Sequence, residues 1–120
     1  MARKPHPSDF IVPVEGIGTF TFGRRTMADE FAIQRRFADL AGGTDHTDWL
    51  NIVGGWVSAL TVLTVRAPED WNIDEMDPLD PEVYAKLKKV FDALRDQEDS
   101  FRGKRRTGSE AGSEAARNNN

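Results

Sequence analysis

The stretch from Trp49 to Val65 constrains this chain more than any other. Trp49, Ile52, Val53, Trp56, Val57, Leu60, Leu63 and Thr64 recur at the three- and four-residue spacing that stacks side chains on one face of an α-helix. Such a helix does not stand alone in water, because ordering its backbone costs as much as burying the face returns. Other parts of the chain, or another chain, must cover it. Gly54 and Gly55 sit in its middle, each costing about 0.5–1 kcal/mol relative to alanine. A close approach by another backbone offsets such a cost, either at a helix crossing inside the domain or at a subunit contact. Thr61, Val62, Thr64 and Val65 are β-branched and favour strand, but the 3.6-residue period persists through Leu63 and the stretch is read as helical to Val65.

With 120 residues, 38% of them hydrophobic, the chain has material for one small domain and no second core. It contains no cysteine, which excludes disulfides, thiolate metal sites and cysteine nucleophiles. The basic start, Met1 to Pro7, is not followed by a signal-type apolar run, and no apolar run approaches a membrane span, so a soluble, unexported protein is expected. The net charge of −4 is unevenly spread. Residues 1–66 carry seven basic and seven acidic side chains, residues 67–101 four and eleven, and residues 102–120 five and two. Phosphate binding needs clustered Lys and Arg, so an acidic third helix argues against nucleic-acid binding by the folded part. The basic end suits contact with an acidic protein surface, its own or a partner's.

Residues 1–8, with Pro5 and Pro7, are expected to be a flexible N-terminus. Phe10 to Phe22 reads as a β-hairpin: Phe10, Val12 and Val14 alternate, Glu15-Gly16 offers the turn, and Phe20 and Phe22 share one face. Pro13 lacks a ladder donor, which assigns its strand to an edge. Thr26 caps a first helix to Ala41, with Asp29 placed to return a hydrogen bond and Gly42-Gly43 as the stop. Its apolar residues Met27, Phe31, Ile33, Phe37 and Leu40 spread over a broad face, which suits contact with both hairpin and central helix. Arg24, Arg25, Arg35 and Arg36 surround it, and their plainest reading is a solvated face with acids such as Asp39.

Arg66 to Leu79 reads as a loop with Trp71, Ile73, Met76 and Leu79 tucked onto the core. Asp74, Glu75, Asp77 and Asp80 do not have the ligand order, turn glycine or terminal Glu of a calcium loop. Asp80-Pro81 opens a third helix, with Val83, Leu87, Val90, Phe91, Leu94 and Phe101 inward and Gly103 as its stop. From there to Asn120 no large apolar residue occurs, so residues 103–120 are expected to be a disordered C-terminal tail. The fold class is therefore α+β, mostly helical, with an N-terminal β-hairpin packed on about three α-helices, all within one domain over residues 9–102.

No catalytic constellation emerges. His6 lies in the flexible end, and His46 lies near Asp45 and Asp48, either of which reads as a helix cap. Thr47 and Ser58 have no evident activating base, and no glycine-rich phosphate loop follows a strand. A non-enzymatic binding protein without cofactor or metal is expected. Its candidate protein-contact residues are Gly54, Gly55, Pro13, Arg24 and Arg25.

Several stretches carry a resemblance. Phe10-Ile11-Val12-Pro13 through Gly18-Thr19-Phe20-Thr21-Phe22, then Arg24-Arg25-Thr26-Met27-Ala28-Asp29-Glu30, Ala67-Pro68-Glu69-Asp70-Trp71 and Glu98-Asp99-Ser100-Phe101-Arg102 resemble tail assembly chaperones of long-tailed bacteriophages and prophages. The likeness spans residues 10–102 and rests on pattern and order. It implies a small cytoplasmic protein, absent from the finished virion, that binds the tape measure protein, helps recruit the major tail protein and self-associates along its client. It also implies a longer product made by ribosomal frameshifting. Arg102-Gly103-Lys104 suits a slippery run if the codons are an Arg codon ending in G, then GGA and AAG. A structural tail or head–tail joining subunit and a non-phage protein–protein adaptor are the alternatives, with a nucleic-acid binder behind them.

Overall fold

The hairpin alternation holds in space: Val12, Val14, Phe20 and Phe22 are buried, whereas Ile11, Pro13 and Thr19 are exposed. A computed structural model of the protein describes residues 3–43 and 45–106, with the side chains of 103–106 set aside. Strand β1 (Phe10–Val14) pairs antiparallel with β2 (Gly18–Phe22) in the register Phe10↔Phe22, Val12↔Phe20, Val14↔Gly18. The turn closes with Ile17 N–H donating to the Val14 carbonyl, and Gly16 takes a φ of 81°, which a side chain would oppose. β1 is an edge strand, where the missing Pro13 N–H costs no ladder bond.

Helix α1 (Met27–Ala41) begins in a reciprocal capping box: Thr26 Oγ1 accepts from Asp29 N–H, and Asp29 Oδ2 accepts from Thr26 N–H. It ends at Gly42, whose N–H donates to the Ala38 carbonyl from a left-handed conformation. Helix α2 (Asp48–Leu63) is capped by Thr47, whose hydroxyl accepts from Leu50 N–H; neither Asp45 nor Asp48 holds the cap. The hydroxyl one residue before the first helical position has the geometry the acids lack.

Helix α2 stops two residues before the expected end. Thr64–Arg66 is instead a third strand, β3, paired antiparallel with β2 through Phe22↔Thr64 and Thr21↔Arg66. The β-branched run that favours strand prevails because β2 offers an otherwise unpaired edge. The hairpin thus becomes a three-stranded sheet in the order β1-β2-β3. The following loop contains a 3-10 turn at Ile73–Glu75 rather than being wholly irregular. Helix α3 (Pro81–Arg106) opens with Asp80 accepting from Glu82 N–H and runs past Gly103, which does not stop it. A glycine costs a helix about 1 kcal/mol against alanine but ends it only where a left-handed cap forms. Residues 103–106 of the stretch expected to be a disordered tail are therefore helical, and the rest of that stretch, residues 107–120, lies outside the described residues.

One core joins these elements: Val12, Val14, Phe20 and Phe22 of the sheet, Ile33 of α1, Val53, Ala59, Leu60 and Leu63 of α2, and Leu87, Val90 and Leu94 of α3. Trp71, Ile73 and Met76 pack against it, with the Trp71 ring edge-on to Phe20 at 5.0 Å. Leu79 does not; it is 88% exposed, lifted off by the turn in which Asp77 accepts from its N–H. Trp49 and Ile52 of α2 and Met27, Phe31 and Leu40 of α1 are also exposed, against the expected burial. Met27 and Phe31 lie on the side of α1 opposite Ile33, so the broad apolar face is only partly covered. The N-terminal segment is tied at Arg3, whose guanidinium makes two bonds to Asp29, at 2.7 and 3.1 Å. That contact lies within the segment expected to be flexible. Among the described residues no helix is long and apolar enough to cross a membrane.

Candidate protein-interaction surface

The two central glycines have different surroundings. A Cβ on Gly54 would come within 3.0 Å of the Phe37 ring of α1 and 3.2 Å of Leu50, so this glycine lets α1 close on α2. That is the crossing inside the domain. A Cβ on Gly55 would meet nothing within 4 Å. Gly55 lies on the floor of an open groove of about 340 Å³. Gly55 and Ala59 keep that floor low, Ile33 of α1 and Phe91 of α3 stand on either side, and Ile52 and Trp56 extend the apolar lining.

One end of the groove is charged. Glu98 of α3, only 6% exposed, accepts from Arg25 Nε and Nη2 at 3.1 Å each and from Arg95 Nη1 at 3.2 Å. Arg25 also donates to Glu30 at 2.8 Å. Burial works against the Arg25 charge, but Glu30 and Glu98 outweigh it and hold its pKa above the usual value. Hydrogen bonds from Gln34 and Arg25 hold the Glu30 carboxyl below its ordinary range. The network bridges α1 and α3 where these helices make little other contact, and so fixes the width of the groove.

Of the candidate contact residues, Gly55 and Arg25 come together in this groove, with Arg25 serving first as an internal tie. Gly54 is buried beneath α1. Arg24 lies over the Phe101 ring at 4.1 Å, and Phe101 meets Phe10 edge-on at 5.0 Å, so Arg24 fastens the end of α3 to β1. Pro13 is exposed on the edge strand, apart from the groove-lining residues. Sequence reasoning missed Glu98 and Arg95. The available signal was Glu98 itself, one helical turn after Leu94 and three residues before Phe101 on the inward stripe, where a carboxylate requires partners.

A second, smaller groove of about 260 Å³ lies beside β3, lined by Leu60, Thr64, Val65, Ala67, Trp71 and Ile73. His46 stands edge-on to Phe37 at 5.6 Å. Among the described residues no group of three or more His, Cys, Asp or Glu side chains is placed to hold a metal ion. Comparison with protein-family models, curated proteins and solved structures gave no match.

Proposed function

We propose that this protein is a non-enzymatic tail assembly chaperone that binds the tape measure protein and promotes assembly of the tail tube around it. The observation that carries the reading is the open groove floored by Gly55 and Ala59. A helix presenting aliphatic side chains three and four residues apart lies into such a groove, and a floor of glycine and alanine lets its backbone come close. An elongated, aggregation-prone helical client offers many such segments. The resemblance over residues 10–102 supplies the client's identity, the recruitment of major tail protein, action in the host cytoplasm and absence from the virion.

Co-expression with the tape measure protein, followed by size-exclusion chromatography with light scattering, tests the reading. A soluble complex is expected where the client alone precipitates. Gly55→Leu, which fills the groove, is expected to lose the complex while retaining the far-ultraviolet dichroism of the folded chain. An insoluble client with this protein eluting alone would favour a structural tail or joining subunit, which mass spectrometry of purified particles would then detect.

A further inference from the structure

The segment that follows β3 carries charge that the fold does not use. Five acids, Glu69, Asp70, Asp74, Glu75 and Asp77, fall within residues 66–77 against one cation, Arg66. Asp77 accepts from Leu79 N–H ahead of α3. The other four are exposed, and among the described residues none of them takes part in an ion pair or a side-chain hydrogen bond. The same segment walls the groove of about 260 Å³ beside β3, to which it contributes Ala67, Trp71 and Ile73. Consecutive Cα atoms lie about 3.8 Å apart, so Asp70 and Asp74 adjoin lining residues and Glu69 and Glu75 stand one step beyond, all with their backbone within about 8 Å of the wall, the Debye length at physiological salt. Two turns hold them there: Trp71 N–H donates to the Pro68 carbonyl and Glu75 N–H to the Asn72 carbonyl. The result is an apolar groove with an acidic rim.

Charge and size select the occupant. A rim of this sign repels phosphate, which argues against nucleic acid. The volume lies below the roughly 300–1,000 Å³ of small-molecule sites. Among the described residues no group of acids is placed to share a metal ion. β3 is three residues long and closes the sheet on this side, and among the described residues only β2 pairs with it. Its outer edge is open to an added strand. We propose that this groove takes an extended basic peptide segment of a partner protein, laid along the outer edge of β3. Apolar side chains of that segment enter the groove between Val65, Ala67, Trp71 and Ile73, and the long stems of its Lys or Arg side chains carry their charges to Glu69, Asp70, Asp74 and Glu75. Main-chain hydrogen bonds supply affinity, and the acidic rim selects the sign of the partner. The surface shares no residue with the Gly55 groove, so it stands or falls apart from the proposed function.

Fluorescence anisotropy of a labelled heptapeptide of alternating arginine and valine, titrated with the full chain, tests the proposal. Saturable binding is expected, weaker at about 1 M salt than at about 0.1 M, where the Debye length is about 3 Å and about 10 Å. Asp70→Asn, Asp74→Asn and Glu75→Gln together are expected to weaken it about tenfold, the combined effect of three exposed ion pairs. Asp39→Asn, Asp45→Asn and Asp48→Asn remove as much exposed charge around the start of α2, a helix about 24 Å long whose other end meets the groove, and are expected to leave binding within about twofold. Thr61→Lys, at an exposed position of the groove, adds a cation to the rim without touching the core and is expected to weaken binding by a similar factor of about ten. The same peptide methylated at every backbone nitrogen keeps its charge and side chains but cannot donate to a strand edge, and is expected to bind at least about tenfold more weakly. Gly55→Leu is expected to bind the peptide as the wild type does. No saturable binding to the wild type, an equal loss in the two acid-neutralised variants, a Thr61→Lys chain that binds undiminished, or a methylated peptide that binds as tightly as its parent would overturn the proposal.

Discussion

The adjacent glycines of α2 test whether one helix position serves the fold and the next a partner. At Gly55 a methyl group finds open space, so Gly55→Ala gains helix propensity without a clash, and unfolding free energy should rise by about 0.5–1 kcal/mol in urea titration. At Gly54 the same methyl presses on Phe37 and Leu50, and that gain should be cancelled or reversed. Equal effects at both positions would remove the contrast on which the groove reading depends. Ser58 supplies an independent residue-level test. Its hydroxyl is fully buried without a hydrogen-bond partner among the described residues, so Ser58→Ala should be neutral or stabilise by up to about 1 kcal/mol. A loss above that would mean the hydroxyl has a partner, such as a bound water.

At the scale of elements, the joints between helices rest on a few charged side chains. Glu98→Ala removes the shared acceptor of Arg25 and Arg95 and leaves a half-buried guanidinium with Glu30 alone, a loss of about 3 kcal/mol by urea denaturation. Arg3 and Asp29 make the joint at the start of α1. Burial alone would raise the Asp29 pKa, but bonds from Arg3 and from Thr26 outweigh it and lower the carboxyl below its ordinary 3.8. The folded value lies below the unfolded one, so this stability is fully present above about pH 3.8 and is lost as pH falls through the folded value. Arg3→Ala should therefore destabilise at neutral pH and flatten the acid limb below pH 4, measured by thermal midpoints across that range. These elements were unequally legible in the sequence. The Thr26–Asp29 box, the Gly42 stop and the Phe20/Phe22 face follow from local chemistry and stand as read. The end of α2 was not legible, because the helical period runs through Leu63 to Thr64 and only the free edge of β2, distant in sequence, draws the β-branched Thr64 and Val65 into strand. Periodicity marks the faces carrying Trp49, Ile52, Met27 and Phe31 as apolar without telling whether anything covers them. Glu98 needed Arg25, 73 residues away, before its inward position made sense.

Over the whole molecule, the single core decides how the chain should unfold. Sheet and helices contribute to one cluster, and the hairpin lacks a core of its own, so no part has the apolar burial to persist alone. Trp56 and Trp71 both pack against that cluster, one facing Phe91 of α3 and the other Phe20 of β2, whereas Trp49 is exposed. Tryptophan emission therefore reports on helix packing and sheet packing together, while far-ultraviolet dichroism reports mainly on the helices. In urea the two signals should trace one transition with the same midpoint. Truncation after Arg106 should leave that midpoint unchanged, because among the described residues every member of the buried core cluster lies between Val12 and Leu94. The groove would then be a surface of one cooperative unit. Loss of client binding in Gly55→Leu would be read as loss of a surface once the midpoint is shown to hold. An emission change preceding the dichroism change would mean that the sheet and the loop carrying Trp71 open before the helices. In that case the sheet edge beside β3, rather than the groove between α1 and α3, would be the first surface to become available to a partner.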